Sequence, residues 1–289
     1  MQDASKTAGY VLKAGTEYLE THHVDQSRII CELLLSRLLN CKRLELPLKF
    51  DTILNDKLLD AMRRGTKRVA SGEPVQYVLG QTGFMGHTFK VDRRALIPRP
   101  ETEVLVEQVL KYEPVWKIQP KPVIADIGTG SGCIVISLAI AKPNALYVGL
   151  DVSNDAIELA KENAALLGVQ DKISFNSADL SDIVEPETLD AFISNPPYVS
   201  MSEYEKLPVH IRDHEPRIAL DGGPAGLSII ENLIQDAVIV LKSGGALFME
   251  IGDRQASAVT NLLKETGFDQ IKVIKDLAGK DRIISAIKQ

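Results

Sequence analysis

The stretch "PVIADIGTGSGCIVISLAIAK", residues 122–142, decides how this chain is read. "PVIADIG" has the apolar density of a buried strand, and "GCIVISLAIAK" is long and apolar enough for a buried helix. Between them Gly128, Gly130 and Gly132 let the backbone turn tightly and approach a ligand closely. A glycine loop alone is equally well a dinucleotide site or a plain strand–helix turn. The dinucleotide pattern G-x-G-x-x-G would need glycine at position 133, which is Cys133. The pattern here is D-x-G-x-G-x-G, with Asp126 closing the strand.

Outward from this loop the rhythm repeats. "ALYVGLD" is a strand, "NDAIELAKENAALLG" a helix and "KISFNSAD" a strand; then come "LDAFISN", a long helix near "GLSIIENLIQDAVIVLK", and "GALFMEIG". Such alternation predicts an α/β unit, a parallel sheet covered by helices on both faces. The tail "FDQIKVIKDLAGKDRIISAIKQ" predicts a hairpin that adds an antiparallel edge strand. Upstream, "TAGYVLKAGTEYLE", "QSRIICELLLSRLL" and "LNDKLLDAMRRGTKRVA" carry apolar residues at helical spacing, with Asn55 as N-cap of the third. "GEPVQYVLGQTGFMGHTFKVDRRALIPRP" is rich in Gly and Pro and alternates around "HTFKV", as a β-hairpin linker would. The expected organisation is a helical bundle over 1–72, a hairpin linker over 73–99 and an α/β domain over 100–289.

Composition narrows the class. Of 289 residues, 45% are hydrophobic and 25% charged, ordinary values for a globular chain. No apolar run reaches the ~18 residues of a membrane span. "MQDASKTAGYVLKAG" has the character of neither a signal nor a transit peptide. Cys31, Cys41 and Cys133 form no CxxC pair and read as structural thiols of a reducing compartment, so a cytoplasmic protein is expected. His22 and His23 lack the spacing of a metal pair, and no metal site is expected. Net charge is −6, against a binder that relies on phosphate neutralisation. Residues 1–80 carry 12 Lys+Arg and 10 Asp+Glu, the remainder 21 and 29. "MRRGTKRV" is the one dense basic run, read as an exposed helix face.

The carboxylates sharpen the glycine loop. Asp126 beside it disfavours a pyrophosphate and suits an ammonium or sulfonium. Asp151 ends the second strand, where a carboxylate accepts from both ribose hydroxyls, and Asp179 ends the third, within reach of an adenine amino group. Each alone is as readily a helix cap or a turn residue. Together they converge on one crevice, and S-adenosylmethionine matches the set.

The fourth strand ends in "SNPPYVS", with Asn195, Pro196, Pro197 and Tyr198. Consecutive prolines remove backbone donors and stiffen the turn. A conjugated NH2 group is a poor nucleophile because its lone pair is delocalised. Asn195 Oδ1 and the Pro196 carbonyl would accept from its two N–H groups and orient it, and Tyr198 would offer a face for stacking. No base is needed before transfer. The bland alternative is a proline turn without chemistry. The chemical reading is an N-methyltransferase for either an adenine N6 or a glutamine amide.

The chain resembles the HemK/PrmC family, the release factor glutamine methyltransferases, over its whole length. The resemblance rests on "GEPVQYVLGQTGFMG", "LIPRPETEVLVE", "ADIGTGSGCIVISLA", "SNPPYV", "EPRIALDGGPAGL", "GGALFMEIG" and "KDLAGKDRIISA". It implies a Rossmann-like class I S-adenosylmethionine-dependent methyltransferase fold, with a seven-stranded, mostly parallel sheet. It further implies N5-methylation of the glutamine in the Gly-Gly-Gln motif of class 1 peptide chain release factors, with S-adenosyl-L-homocysteine as by-product and the helical region docking the release factor. Carried over by matching position, the cofactor contacts are Asp126, Ile127, Gly128, Thr129, Gly130, Asp151, Asp179, Leu180 and Asn195, and the substrate turn is Asn195 to Tyr198. Leu180 and His214 depart from the pattern, standing where aromatics are frequent. "IPRPET" (Ile97 to Thr102) has two readings: it lines the cofactor pocket, or Arg99 and Glu101 simply pair with each other. A monomer is expected, with no membrane and no stable nucleic-acid binding. The rival readings are glutamine methylation of a ribosomal protein, N6-adenine methylation of nucleic acid, and a silent cofactor-binding scaffold.

Overall fold

The computed structural model describes residues 4–118, 120–178 and 184–289. The chain divides into two compact units, Met1–Gly80 with Val209–His214, and Gln81–Pro208 with Glu215–Gln289. The division falls at Gly80, inside the stretch expected to be a linker.

In the first unit α1 (Ala8–Thr21), α2 (Ser27–Leu38) and α3 (Asp56–Ala70) pack around Leu12, Leu19, Leu35, Leu54 and Met62. Asn55 caps α3, its side chain accepting from Leu58 N at 2.9 Å. The basic run lies on α3 with Met62 and Val69 inward and Arg63, Arg64, Lys67 and Arg68 outward, a solvated helix face as expected. "LELPLKF" belongs to a 3-10 segment, Arg43–Lys49. "VQYVL" differs from its reading as linker: it forms a short helix, α4 (Val75–Leu79), closed by Gly80 at φ 69°. Tyr77 is buried there, and that burial outweighs the local Gly/Pro signal.

The second unit opens with the expected hairpin, β1 (Gln81–Phe84) and β2 (His87–Lys90), turned at Met85 and Gly86 with φ of 49° and 76°. Then come α5 (Pro100–Lys111), a short α6 (Glu113–Trp116) and a seven-stranded sheet: β3 (Val123–Ile127), β4 (Leu146–Leu150), β5 (Ile173–Asn176), β6 (Leu189–Ser194), β7 (Leu241–Glu250), β8 (Phe268–Lys275) and β9 (Asp281–Lys288). Spatial order is β5-β4-β3-β6-β7-β9-β8, parallel except where β9 meets its neighbours.

Period-2 alternation feeds two cores. Ile124, Ala191, Ile193 and Phe248 face α5 and α7 (Cys133–Ala141), while Ala125, Phe192, Leu247 and Met249 face the helices Ser228–Val240 and Ala256–Glu265. The closing hairpin supplies the expected antiparallel edge strand, β8, paired against the reversed strand β9. β9, with Ile283, Ile284 and Ala286 buried, sits inside, and β8 takes the edge. Mostly exposed, with Lys272 and Lys275, β8 suits a solvated edge that resists further pairing.

Candidate active site

After β3 the chain continues to β4 on one side and returns to β6 on the other, so β3 marks the switch point where the carboxyl ends of the strands open a crevice. The glycine loop, Asp151 and Asn195 all follow strands that end there. They line a cavity of about 340 Å³, together with Ile97, Pro98, Arg99 and Thr102 of the "IPRPET" segment.

The loop is built for close approach. Gly128, Gly130 and Gly132 have φ of 72°, 54° and 79°. A Cβ on Gly128 would meet nothing within 4 Å and would project into open space, whereas one on Gly132 would lie 2.8 Å from Ile136 Cδ1. The first glycine borders open space, and the third is needed for packing of α7, whose first residue follows it. Ile127, Gly128, Thr129 and Gly130 all line the cavity.

Asp126 lies behind the loop, with no exposed surface and outside the cavity lining. Its Oδ2 accepts from Thr129 Oγ1 at 2.7 Å and from Val135 N at 3.3 Å. Among the described residues its Oδ1 has no hydrogen-bond partner, and neither has Ser131 Oγ. Buried polar atoms are almost always satisfied, so this pair suits a polar ligand or bound water. Burial, with Asp151 adding its charge, pushes the Asp126 carboxyl up to about 7. Asp151, after β4, accepts from Gly130 N and from Ser153 N, both at 2.9 Å. These bonds lock it against the loop and leave further lone pairs toward the cavity. Burial raises its pKa too. Asp179 and Leu180 lie outside the described residues.

The substrate turn follows β6. Ser194 Oγ donates to Ile127 O at 2.7 Å and pins the strand end to the glycine loop. Asn195, Pro196 and Pro197 line the cavity. Asn195 Nδ2 donates to Thr102 Oγ1 at 3.0 Å, and among the described residues no donor reaches its Oδ1. Among the described residues no donor reaches the Pro196 carbonyl. Tyr198 is placed otherwise than its reading as a stacking face. It is outside the cavity lining, it packs against the second core, and its hydroxyl donates to Glu250 Oε1 at 3.1 Å.

Three contributors escaped the sequence reading. Arg99 pairs with Glu215, not Glu101. Glu215 is buried and also accepts from Ile97 N at 3.0 Å, so "EPRIALDGG" is tied to "IPRPET" along one wall of the cavity. The same segment clamps the substrate turn, since Val199 N donates to Leu220 O at 3.0 Å and Gly222 N to Val199 O at 2.9 Å. Gln255 Nε2 donates to Tyr198 O and Gly226 O. The third contributor is buried Glu250, which accepts from Thr102 Oγ1 at 2.7 Å.

Comparison with known proteins follows the same division. A family model for the PrmC N-terminal domain matches residues 11–80, and one for the methyltransferase small domain matches residues 101–210. The release factor glutamine methyltransferase of Rhodopirellula baltica is 36% identical over 99% of this chain and 98% of its own length. The protein of that name from Geobacter sulfurreducens is 38% identical over 92% of each. The chain belongs to the release factor glutamine methyltransferase family. Among solved structures, the hMettl16 catalytic domain superposes with a TM-score of 0.54 at 15% identity, covering 81% of this chain and 83% of that one. At that identity the likeness concerns the fold, which is the class I methyltransferase fold the family resemblance implied.

Proposed function

We propose that the chain is an S-adenosyl-L-methionine-dependent protein-(glutamine-N5) methyltransferase, acting on the Gly-Gly-Gln glutamine of class 1 peptide chain release factors. One observation carries the reading. In a chain of this family, Asn195 commits its amide nitrogen to Thr102 and keeps Oδ1 at the cavity that the glycine loop and Asp151 build.

The residues present fit S-adenosylmethionine. Gly128 to Gly130 leave space for the close approach of a ligand, Asp151 offers carboxylate lone pairs to a ribose diol, and ionised Asp126 favours a cation at the loop. When bound, the cofactor supplies an electrophilic methyl group and leaves as S-adenosyl-L-homocysteine. Asn195 Oδ1 and the Pro196 carbonyl accept from the two N–H groups of the glutamine amide. Held this way, the nitrogen turns its lone pair toward the cofactor side of the cavity. The two acceptor dipoles also stabilise positive charge as it grows on that nitrogen, which then gives up one proton to solvent to leave the neutral N-methylamide. The stiff Pro196-Pro197 backbone keeps the carbonyl in place without reorganisation. Tyr198 acts on Glu250 and the turn.

Incubating the full chain with unmodified release factor, ribosomal proteins and nucleic acid, each with labelled cofactor, tests this. Label on the single Gly-Gly-Gln glutamine is expected. Transfer to a ribosomal protein or to adenine, with release factor unlabelled, refutes it.

A further inference from the structure

An asparagine amide is ambiguous. Turned through 180° it shows a ligand either two donors or one acceptor. Only the acceptor can hold the N–H of a substrate carboxamide, so something must fix which end faces the cavity. Hydrogen-bond bookkeeping around Asn195 identifies it. Asn195 Nδ2 lies 3.0 Å from Thr102 Oγ1, and Thr102 Oγ1 lies 2.7 Å from Glu250 Oε2. Thr102 and Glu250 are 2% and 1% exposed, so water does not compete for these groups. A threonine hydroxyl owns one proton. An ionised carboxylate accepts only, and Glu250 also accepts from Tyr198 Oη. With its proton committed to Glu250, the Thr102 oxygen can only accept from Asn195.

We infer that Thr102 and Glu250 are positioning residues that set the polarity of Asn195, forcing its NH2 inward and its Oδ1 toward the substrate nitrogen. The inference rests on the methyl acceptor being an amide or amino N–H, as proposed for this site. The arrangement depends on the fold, because Thr102 lies in the first turn of α5 and Glu250 ends β7, 148 residues away. Burial raises the Glu250 pKa above the usual carboxylate value, and Glu101 adds to the rise. The Thr102 and Tyr198 hydroxyls and the Arg282 guanidinium oppose it. Arg282 Nη1 is 3.5 Å from Tyr198 Oη and is itself paired with Asp276. A buried acceptor with two hydroxyl donors and a cation close by is a stable terminus for the relay.

Two measurements on the full-length protein test it. In the first, unmodified release factor is methylated by wild type, Thr102→Val and Thr102→Ser. Thr102→Val keeps the shape and removes the relay; kcat should fall about 100-fold, the scale of losing one preorganised polar contact to a transition state. KM and cofactor affinity should stay within about threefold, and Thr102→Ser, which restores the hydroxyl, should stay within about threefold of wild type. A Thr102→Val enzyme as fast as wild type, or a Thr102→Ser enzyme as slow as Thr102→Val, overturns the inference. If Thr102→Val does not fold, Glu250→Gln substitutes for it. Thr102 and Tyr198 reach different oxygens of Glu250, so a carboxamide there must turn its NH2 toward one of the two hydroxyls, and kcat should fall at least about tenfold. Unchanged kcat again overturns it. The second measurement needs no methyl acceptor. The Asn195 side-chain NH2 signal of ¹⁵N-labelled protein, assigned by its loss in Asn195→Asp, should include one solvent-protected proton in wild type and Thr102→Ser and none in Thr102→Val. An unprotected wild-type NH2 overturns the inference whatever the substrate. If wild type fails to label release factor, the functional proposal falls, and the NMR result still decides the polarity of Asn195.

Discussion

Asp126 illustrates how burial and chemistry conflict at a single side chain. It is inaccessible, only one of its oxygens is bonded, and its pKa is pushed up to about 7, by burial first and the Asp151 charge last. The folded value lies above the unfolded one, so the folded state holds the extra proton between about pH 4 and 7. Stability from this group is therefore greatest at the acid end of that window and declines as pH rises through it. Glu162 behaves oppositely, held down at about 2 by Arg94 and Lys90, so its contribution is lost only at far lower pH and does not mask the effect. Urea unfolding should show wild type losing stability from about pH 4.5 to 7, and Asp126→Asn losing distinctly less. A cation bound at the loop favours the ionised form, so S-adenosylmethionine binding near pH 6 should release a proton from wild type and not from Asp126→Asn. Calorimetry in buffers of different ionisation enthalpy reads this directly, and equal proton release from both proteins refutes the assignment.

At the scale of elements, the decisive contact is between the "EPRIALDGGPAGL" segment and the substrate turn. A Cβ on Gly222 would lie 2.7 Å from Pro197 O and 2.9 Å from Tyr198 Cα, backbone atoms with little freedom to yield. Gly222 has no positive φ, so alanine is conformationally acceptable there and its effect is one of displacement. Gly222→Ala should cut kcat by about tenfold or more with cofactor affinity retained, since small misplacements of reacting groups are costly. Titration of cofactor alongside turnover checks it, and unchanged kcat rejects the clamp. The elements legible in the sequence are those whose signal is local: the strand–glycine loop–helix unit, the hairpin at Met85-Gly86, the Asn55 cap, and the proline turn at Asn195. What was not legible depends on partners far along the chain. Arg99 has acidic Glu101 two residues away, and only the fold reveals Glu215, 116 residues on, as its partner. Tyr198 reads as an exposed stacking face until Glu250 is seen to take its hydroxyl.

At the scale of the whole molecule, the chain has two units with separate cores, and the family it belongs to is named for a protein substrate. If a glutamine amide is gripped by two oxygens as proposed, the grip offers little by which to tell one protein from another, and selectivity requires contact elsewhere. In the helical unit the 3-10 segment Arg43–Lys49 is anchored by buried Leu46, while Leu44 and Leu48 are 87% and 86% exposed among Lys42, Arg43 and Lys49. Two leucines held in water on an ordered, basic-flanked segment suit a protein-binding surface. If they bind the release factor away from the reacting amide, they contribute equally to the ground and transition states, and their loss appears in KM alone. The double variant Leu44→Asp, Leu48→Asp should raise KM for intact release factor at least about fivefold with kcat unchanged, a loss of about 1 kcal/mol. A short peptide bearing Gly-Gly-Gln, too small to reach a second contact, should be methylated equally by both proteins. A kcat effect, or a KM effect shared by the peptide, would show that these leucines support the fold or the catalytic cleft and do not select the partner.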